Sequence, residues 1–550
     1  MKEKNQKSFL FDINKCTGCG ACVIACETEQ SIAEEKSRLR RAGGRILKKL
    51  PPCTPRKNFC LAALRQVFTF NESRHPALPH FHLSLACNHC AEPVCLKNCP
   101  ARAYSKDEKT GAVSIDPKKC MGCKYCTWAC PYDAPKFNPE RGITEKCDFC
   151  LDRINEGKKP ACVVACPTGA LQFEEKSVSP PAAPPRGEGA QKNIEYRTPN
   201  IESRRKEGDS FVIQKPLIGS PRRGVAGFTE AGIEPAINFI PLRRKQQPEC
   251  TAPSHSGSVE KLFFSSIDIP KSKITLKKEW TLLLFTTIAY ILVAFFTASV
   301  TGANGIEPFL FLGLGAAAMG LTFVHLGQKS RAWRAIFNWR TSWLSREILF
   351  FSLFMGLAGL YLLFFPRIPV LGWATAVIGF ISLYSIDKIY QVAMQVGALN
   401  FHSAHVLFNG FFLYSVLTGN SMLFVFFGLL KFCLYLYRKR PGNHVSNRLS
   451  ISLLRIFFGF LLPVGLFFAT VENIFSGDIY LLTAASVILG ELIDRAEYYD
   501  ELDVITPPKQ MLMDLLTMLK RDSPTCAPYA RGGDEPLRGK RQRVSAFDFK

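Results

Sequence analysis

The run Cys120-Met121-Gly122-Cys123-Lys124-Tyr125-Cys126-Thr127-Trp128-Ala129-Cys130-Pro131 decides how the N-terminal third of the chain is read. Three cysteines at two-residue intervals let one tight loop present thiolates to three irons of a single 4Fe–4S cubane. The fourth, three residues on and followed by proline, points away to serve the other cluster of a pair. Gly122, like Gly18 and Gly20 earlier in the chain, lets the backbone fold close to the sulfurs and aim N–H groups at them. Three more groups follow the same pattern. They are Cys16-x2-Cys19-x2-Cys22-x3-Cys26, Cys87-x2-Cys90-x4-Cys95-x3-Cys99-Pro100, and Cys147-x2-Cys150 joined after a longer gap by Cys162-x3-Cys166-Pro167.

The first and third groups also repeat in their flanks. Ile13-Asn14-Lys15-Cys16 before Thr17-Gly18-Cys19 matches Ile115-Asp116-Pro117-Lys118-Lys119-Cys120 before Met121-Gly122-Cys123. Duplication of a two-cluster bacterial ferredoxin explains the repeat, and its spacing rule nests the pairs, first group with fourth and second with third. Four 4Fe–4S clusters are then expected. Cluster 1 falls on Cys16, Cys19, Cys22 and Cys166, and cluster 2 on Cys87, Cys90, Cys95 and Cys130. Cluster 3 falls on Cys120, Cys123, Cys126 and Cys99, and cluster 4 on Cys147, Cys150, Cys162 and Cys26. Taken alone, the fourth group also suits a four-cysteine zinc site, but zinc gives no reason for cross-ligation beside two full runs. His89, between Cys87 and Cys90, reads as a loop residue near a cluster, and Cys53, Cys60, Cys250, Cys433 and Cys526 fit no group.

Composition divides the chain. Mean hydropathy is +0.05 over 550 residues, yet Trp280–Arg495 is dominated by Leu, Phe, Ile, Val, Ala and Gly while the first half is polar. A net charge of +23 raises nucleic acid as a partner. The basic residues instead sit in an insertion, a linker and the loops between apolar segments, where membrane orientation accounts for them, so no nucleic acid is expected. Cys16 follows too soon after Met1–Lys7 for a signal-peptide core, and no twin-arginine signal is present, so the thiols are expected to be reduced and free to take metal. The expected organisation is an α+β, duplicated ferredoxin-like four-cluster domain over 1–175 with an insertion at 31–86, then a Pro/Arg-rich linker over 176–277. An all-α polytopic membrane domain of about eight helices follows over 278–500, and a basic tail over 501–550. Within the linker, Phe211-Val212-Ile213 and Ala236–Leu242 are apolar docking points.

Eight apolar segments are readable: Trp280–Thr301, Pro308–Leu326, Glu347–Phe365, Pro369–Asp387, Phe401–Thr418, Ser421–Tyr437, Leu449–Thr470 and Gly477–Ile493. The count is seven if the fifth and sixth run together. Lys271, Lys273, Lys277 and Lys278, then Lys329, Arg331, Arg334, Arg340 and Arg346, then Arg438, Lys439, Arg440 and Arg448 lie on one side. The opposite loops are poor in Lys and Arg, which puts both termini and the cluster domain in the cytoplasm. His325 and Glu491 close helices on the cluster side and supply the proton acceptors that a quinol donor requires. A salt bridge between Glu491 and Arg495 is the plainer alternative. His402 and His405 raise the question of a haem ligated with His325. Lys431 and Arg455 are the charged residues nearest mid-membrane and are long enough to snorkel.

The cysteine groups, with Leu85-Ala86-Cys87-Asn88-His89-Cys90, resemble the electron-transfer subunit of the dimethyl sulfoxide reductase family. His325-Leu326-Gly327, Arg331-Ala332-Trp333-Arg334, Ser345-Arg346-Glu347-Ile348 and Gly490-Glu491-Leu492-Ile493-Asp494-Arg495 are similar to that family's membrane anchor. The resemblance implies a molybdopterin catalytic partner and a menaquinol-oxidising anchor without haem in an anaerobic respiratory complex, with the quinol-linked histidine at His325. Two other readings stand beside it: a subunit of an ion-translocating redox complex, and a quinone-reducing dehydrogenase. The family also places its cluster subunit outside the inner membrane, opposite to the side that the loop charges favour here. The insertion and the tail have no counterpart in it.

Overall fold

Phe9 and Phe11, two residues apart, face the interior from strand β1 (Lys4–Asp12), and that strand organises the outer part of the cluster domain. The computed structural model describes residues 4–30, 64–72, 79–178, 233–240, 276–303, 305–366, 368–393, 402–439, 449–471, 479–502 and 506–521, with 225, 228, 242, 274 and 504 as single positions. Most of the insertion and linker, the four cysteines at 53, 60, 250 and 526, the 211–213 docking point, Lys271, Lys273, Arg367, Arg440, Arg448 and the end of the tail lie outside the described residues.

Strand β1 runs antiparallel to β8 (Leu171–Val178), with Phe9 opposite Phe173. The segment just before the first cysteine group therefore pairs with the one just after the fourth, as nested units require. Three hairpins lie between them. They are β2 (Gln66–Phe70) with β3 (Phe81–Leu85), β4 (Tyr104–Lys106) with β5 (Val113–Ile115), and β6 (Lys136–Asn138) with β7 (Ile143–Glu145). Short helices follow the cysteine loops: α1 over 21–30, α2 (Val94–Asn98), α3 (Tyr125–Ala129), α4 (Leu151–Asn155) and α5 (Ala161–Val164). The linker docks where its apolar segment lies. Ile237–Ile240 forms β9, parallel to β1 with Ile237 opposite Phe9.

The membrane half contains α6 (Leu276–Val300), α7 (Pro308–Val324), α8 (Trp343–Phe364), α9 (Pro369–Ala393), α10 (Val406–Leu417), α11 (Ser421–Arg438), α12 (Leu449–Ile456), α13 (Leu462–Val471) and α14 (Ile479–Glu501). Among the described residues, five helical spans are long and apolar enough to cross a bilayer: Glu279–Val300, Trp343–Phe364, Pro369–Gln391, Ser421–Arg438 and Ser450–Ala469. The last joins α12 to α13 through a π turn at Phe457–Leu461. A sixth arises if α7 is counted with the 3-10 segment Lys329–Ile336, bent from it by 109°. The fifth and sixth apolar segments do not run together. Gly419, at φ +62°, and the Asn420 cap on Leu423 N–H (3.0 Å) fold α10 back along α11. Helix α6 lies at the centre, against α7, α9, α10 and α14.

Beside the packing of Tyr125 and Trp128 on α9, where Tyr125 Oη donates to the Ile389 carbonyl at 3.4 Å, two contacts join the halves. The first is the polar turn after α7. Arg331 Nη1 donates to the carbonyls of Pro117 (2.5 Å) and Cys120 (2.9 Å), and Asn338 Nδ2 to those of Lys97 (3.0 Å) and Cys99 (2.9 Å). Ser342 Oγ donates to Asn98 O at 3.0 Å. The second lies within the region read as a tail. Pro507–Arg521 forms helix α15, whose Met511, Leu515 and Met518 pack into the cluster-domain core with Phe70 and Phe81. With β9 before the membrane half and α15 after it, the chain lies on the cluster domain at both ends of that half.

The first contact depends on three glycines. Gly122 (φ +72°) and Gly142 (φ +60°) meet Gly327 backbone to backbone, and a Cβ on Gly327 would overlap the Gly142 carbonyl. Gly327→Ala is expected to weaken the docking by about 1–3 kcal/mol, the usual range for overpacking. Limited proteolysis in detergent checks it: the variant should release the cluster domain from the membrane half faster than the parent does.

Candidate functional site

Sixteen cysteines converge into four sets, each drawn from two stretches of sequence. Cys16 lies within electrostatic reach of Cys19, Cys22 and Cys166. Cys26 lies beside Cys150 and Cys162, and Cys147 beside Cys26. Cys90 faces Cys87 and Cys130, which also flank Cys95. Cys123 is surrounded by Cys99, Cys120 and Cys126. Two of the sets line partly open cavities, one bounded by Cys99, Cys120, Cys123 and Cys126 and the other by Cys16, Cys19, Cys22 and Cys166.

These cages suit a group larger than one ion. Among the described residues no three His, Cys, Asp or Glu side chains are close enough to share a single metal. Burial pushes the thiols of Cys26, Cys126 and Cys150 up to about 12, so thiolates at these depths need a multiply charged cationic partner, which iron supplies. The donor set therefore fits the cubane.

The sets also form a line. Cys147 of one lies within reach of Cys87 of the next, and Cys95 within reach of Cys126 of the one after. Two buried cations occupy this line, and neither was singled out from the sequence. Arg65 lies in the 31–86 stretch between the first and second cysteine groups. Lys146 precedes Cys147 as Lys15 precedes Cys16 and Lys119 precedes Cys120, but those two side chains are about half exposed, at 54% and 49%, while Lys146 is buried. His89 Nδ1 accepts the Val113 N–H at 2.9 Å and its ring stacks on Phe149, while its Nε2 is buried with no hydrogen-bond partner among the described residues.

The anchor meets this line at the set made by Cys99, Cys120, Cys123 and Cys126. His325 caps α7 two residues before Gly327, and its Nδ1 is buried with no hydrogen-bond partner among the described residues. Leu326, Ala335 and Ile348 pack with Met121, Cys99 and Cys123. Ser345 Oγ and Arg334 Nε are likewise buried without partners there. Glu347, one residue before Ile348, is a buried carboxylate within electrostatic reach of Tyr125 and Arg495.

The sequence matches a 4Fe-4S binding domain over residues 9–29, a 4Fe-4S dicluster domain over 79–176, and the DMSO reductase anchor subunit (DmsC) over 278–438. It is 39% identical over 171 residues to an anaerobic dimethyl sulfoxide reductase chain of Escherichia coli, covering 30% of the present sequence and 73% of that one. A sulfite dehydrogenase subunit of Allochromatium vinosum is 36% identical over 30% of the present sequence and 68% of its own length. The thiosulfate reductase electron transfer subunit PhsB of Salmonella typhi is 35% identical over 31% and 76%. This chain is a member of the dimethyl sulfoxide reductase family. It is an iron–sulfur subunit fused to its membrane anchor, and it carries 4Fe–4S clusters.

The anchor match stops at 438, and beyond it the structure holds a feature that spacing left unread. Glu491, Asp494, Glu497 and Glu501 share one face of α14 and meet basic residues of α11 and α12. Glu491 lies 2.9 Å from Lys431 and 3.0 Å from Arg455, and Asp494 lies 3.3 Å from Arg455 and 2.7 Å from Arg438. Lys439 reaches Glu497 at 3.2 Å and Glu501 at 2.8 Å. Gly459 makes room, since a Cβ there would overlap the Arg455 guanidinium. Lys431 and Arg455 do not snorkel; both are fully buried in ion pairs. Glu491 therefore faces these cations, and no described contact links it to His325. Arg495 turns from Glu491 to Asp387 (3.9 Å) and the Ala404 carbonyl (2.8 Å). The His402 and His405 rings stack on one another at 4.2 Å, with His405 Nδ1 at 3.2 Å from Asp387, and no described contact links either to His325.

Removing one cation from a buried pair is more costly than removing both partners. Lys431→Met is expected to destabilise the detergent-solubilised protein by about 3–5 kcal/mol, and Lys431→Met with Glu491→Gln to recover part of that. Thermal unfolding of the two variants against the parent measures both effects.

Proposed function

We propose that this protein oxidises menaquinol at its membrane half and passes the electrons singly through four 4Fe–4S clusters to a molybdopterin-containing catalytic subunit. That partner reduces an S- or N-oxide in anaerobic respiration. The observation that carries the reading is the position of His325. A buried, unpartnered imidazole nitrogen ends α7 where the anchor docks on the Cys99–Cys120–Cys123–Cys126 set, so proton and electron acceptors lie at one junction. The relatives' iron–sulfur and anchor matches support the electron-transfer role.

A 4Fe–4S cluster supplies reversible one-electron storage. The chain's residues do the rest. His325 Nδ1 would accept one quinol proton, and the Glu347 carboxylate is placed to accept the second. The cross-paired cysteines Cys166, Cys130, Cys99 and Cys26 complete cluster sites 1 to 4 in turn. We assign Glu491 to the ion-paired face of α14 rather than to the quinol. Eight crossings are the count we favour, since the chain lies on the cluster domain at both ends of the membrane half and the number must be even. The basic residues of the cluster-side loops favour the cytoplasmic face. The ion-paired face of α14 is what supports the second reading, an ion-translocating subunit, and acidification measurements in vesicles separate the two.

Metal analysis should find about sixteen irons per chain, four for each cubane, and the absorption spectrum should lack a Soret band. Zinc in place of iron, or a haem spectrum, would sink the corresponding part. His325→Ala should abolish cluster reduction by a menaquinol analogue and leave reduction by dithionite unchanged. If both routes stay intact, the quinol site lies elsewhere.

A further inference from the structure

Arg65 and Lys146 are buried cations with no carboxylate among their described partners. Lys146 Nζ donates to the carbonyls of Cys147 (2.7 Å) and Val113 and lies 3.5 Å from Cys87 Sγ. Its anionic surroundings are Cys87, Cys95 and Cys147, which belong to two different sets. Arg65 Nη1 donates to Ser84 Oγ (3.0 Å) and the Ser84 carbonyl (3.3 Å), and its guanidinium lies 4.9 Å from the centre of the Phe9 ring. The sulfurs in its reach are Cys162, Cys147, Cys22 and Cys26, again from two sets. Fully buried Lys and Arg are rare unless paired. Among the described residues, the negative groups placed to pair them are the cluster thiolates.

Each cation therefore stands at a joint. Arg65 lies between the sets of clusters 1 and 4, and Lys146 between those of clusters 4 and 2. The third joint, between the sets of clusters 2 and 3, holds the neutral phenol of Tyr104 beside Cys95, Cys99 and Cys126. We infer that Arg65 and Lys146 grade the reduction potentials along the line, raising those of clusters 1, 2 and 4, while cluster 3, beside the anchor, has no fully buried cation and only the half-buried Lys124 and Arg331 at its cage. The inference rests on the four-cluster reading above. Each transfer adds one electron to a site and withdraws it again, with no bond made or broken. The added negative charge is stabilised by a fixed cation that bulk salt screens little. Cluster 4 faces both cations, offset in part by Asp148, whose carboxylate acts on Cys26, Cys147 and Cys150. An electron entering from the anchor side would then meet more favourable sites as far as cluster 4, which faces both cations, and step back to a one-cation site at cluster 1.

The test is a dithionite titration with redox mediators, followed by electron paramagnetic resonance, on the purified full-length chain. Iron is counted first in every sample. In neutral variants that keep the parental iron, Lys146→Met should lower two midpoints and Arg65→Gln should lower two. One midpoint should fall in both, and one should move in neither. The expected size is at least tenfold in the reduction equilibrium, about 59 mV for one electron. Lys146→Arg and Arg65→Lys should keep the parental values. Unmoved midpoints in a loaded neutral variant, or equal shifts in the charge-keeping variants, would overturn the inference. Fewer than about sixteen irons in the parent would instead overturn the four-cluster reading. Each position decides for itself, so a variant that fails to load iron leaves the other to be read.

Discussion

A thiolate cannot be buried without positive charge close by, and this protein buries or half-buries nearly all of the sixteen thiols it groups. Much of the cluster domain follows from that. Its strands and helices are short because the interior is given to cages rather than to a continuous apolar core, and the aromatic core of Phe9, Phe11, Phe70, Phe81 and Phe149 is confined to one side. Glycines at positive φ, Gly18 and Gly122 among them, bring the backbone against the sulfurs. Even the interior Lys and Arg, which elsewhere would be a liability, belong to the same electrostatic balance.

The membrane half answers a related constraint by different means. Its buried charges face one another across α11, α12 and α14, each carboxylate held by basic side chains. It meets the cluster domain through backbone carbonyls around Cys99 and Cys120, read by Arg331 and Asn338. Carbonyl contacts of that kind tie the docking geometry to the loop that holds the cysteines. His325 and the nearest cage are therefore positioned by one turn rather than by two separately placed domains.

The cysteine groups were legible because ligand spacing is a local property, and the matched 4Fe-4S domains cover them. Hydropathy is local too, and five of the eight apolar segments form helices long and apolar enough to cross a bilayer, while α10, at 12 residues, is shorter than its apolar stretch suggested. What stayed hidden depends on distant partners. Nothing in the order of residues separates Lys146 from the exposed Lys15 and Lys119 that precede their cysteines in the same way. Glu491 read as a proton acceptor for the quinol or as the partner of Arg495, because its partners Lys431 and Arg455 lie on other helices. The apolar positions Met511, Leu515 and Met518 recur at helical spacing and could have revealed α15, but the basic residues that follow drew the eye to a tail.

That last helix bears on how the protein is made. A ribosome delivers this polypeptide from its N-terminus, so the floor of the cluster domain against which Met511 and Leu515 pack is complete long before the helix that covers it exists. The soluble half waits, with an apolar face uncovered, until the whole membrane half has been synthesised. Fusion here is more than two subunits on one string: the first part of the sequence is finished by the last.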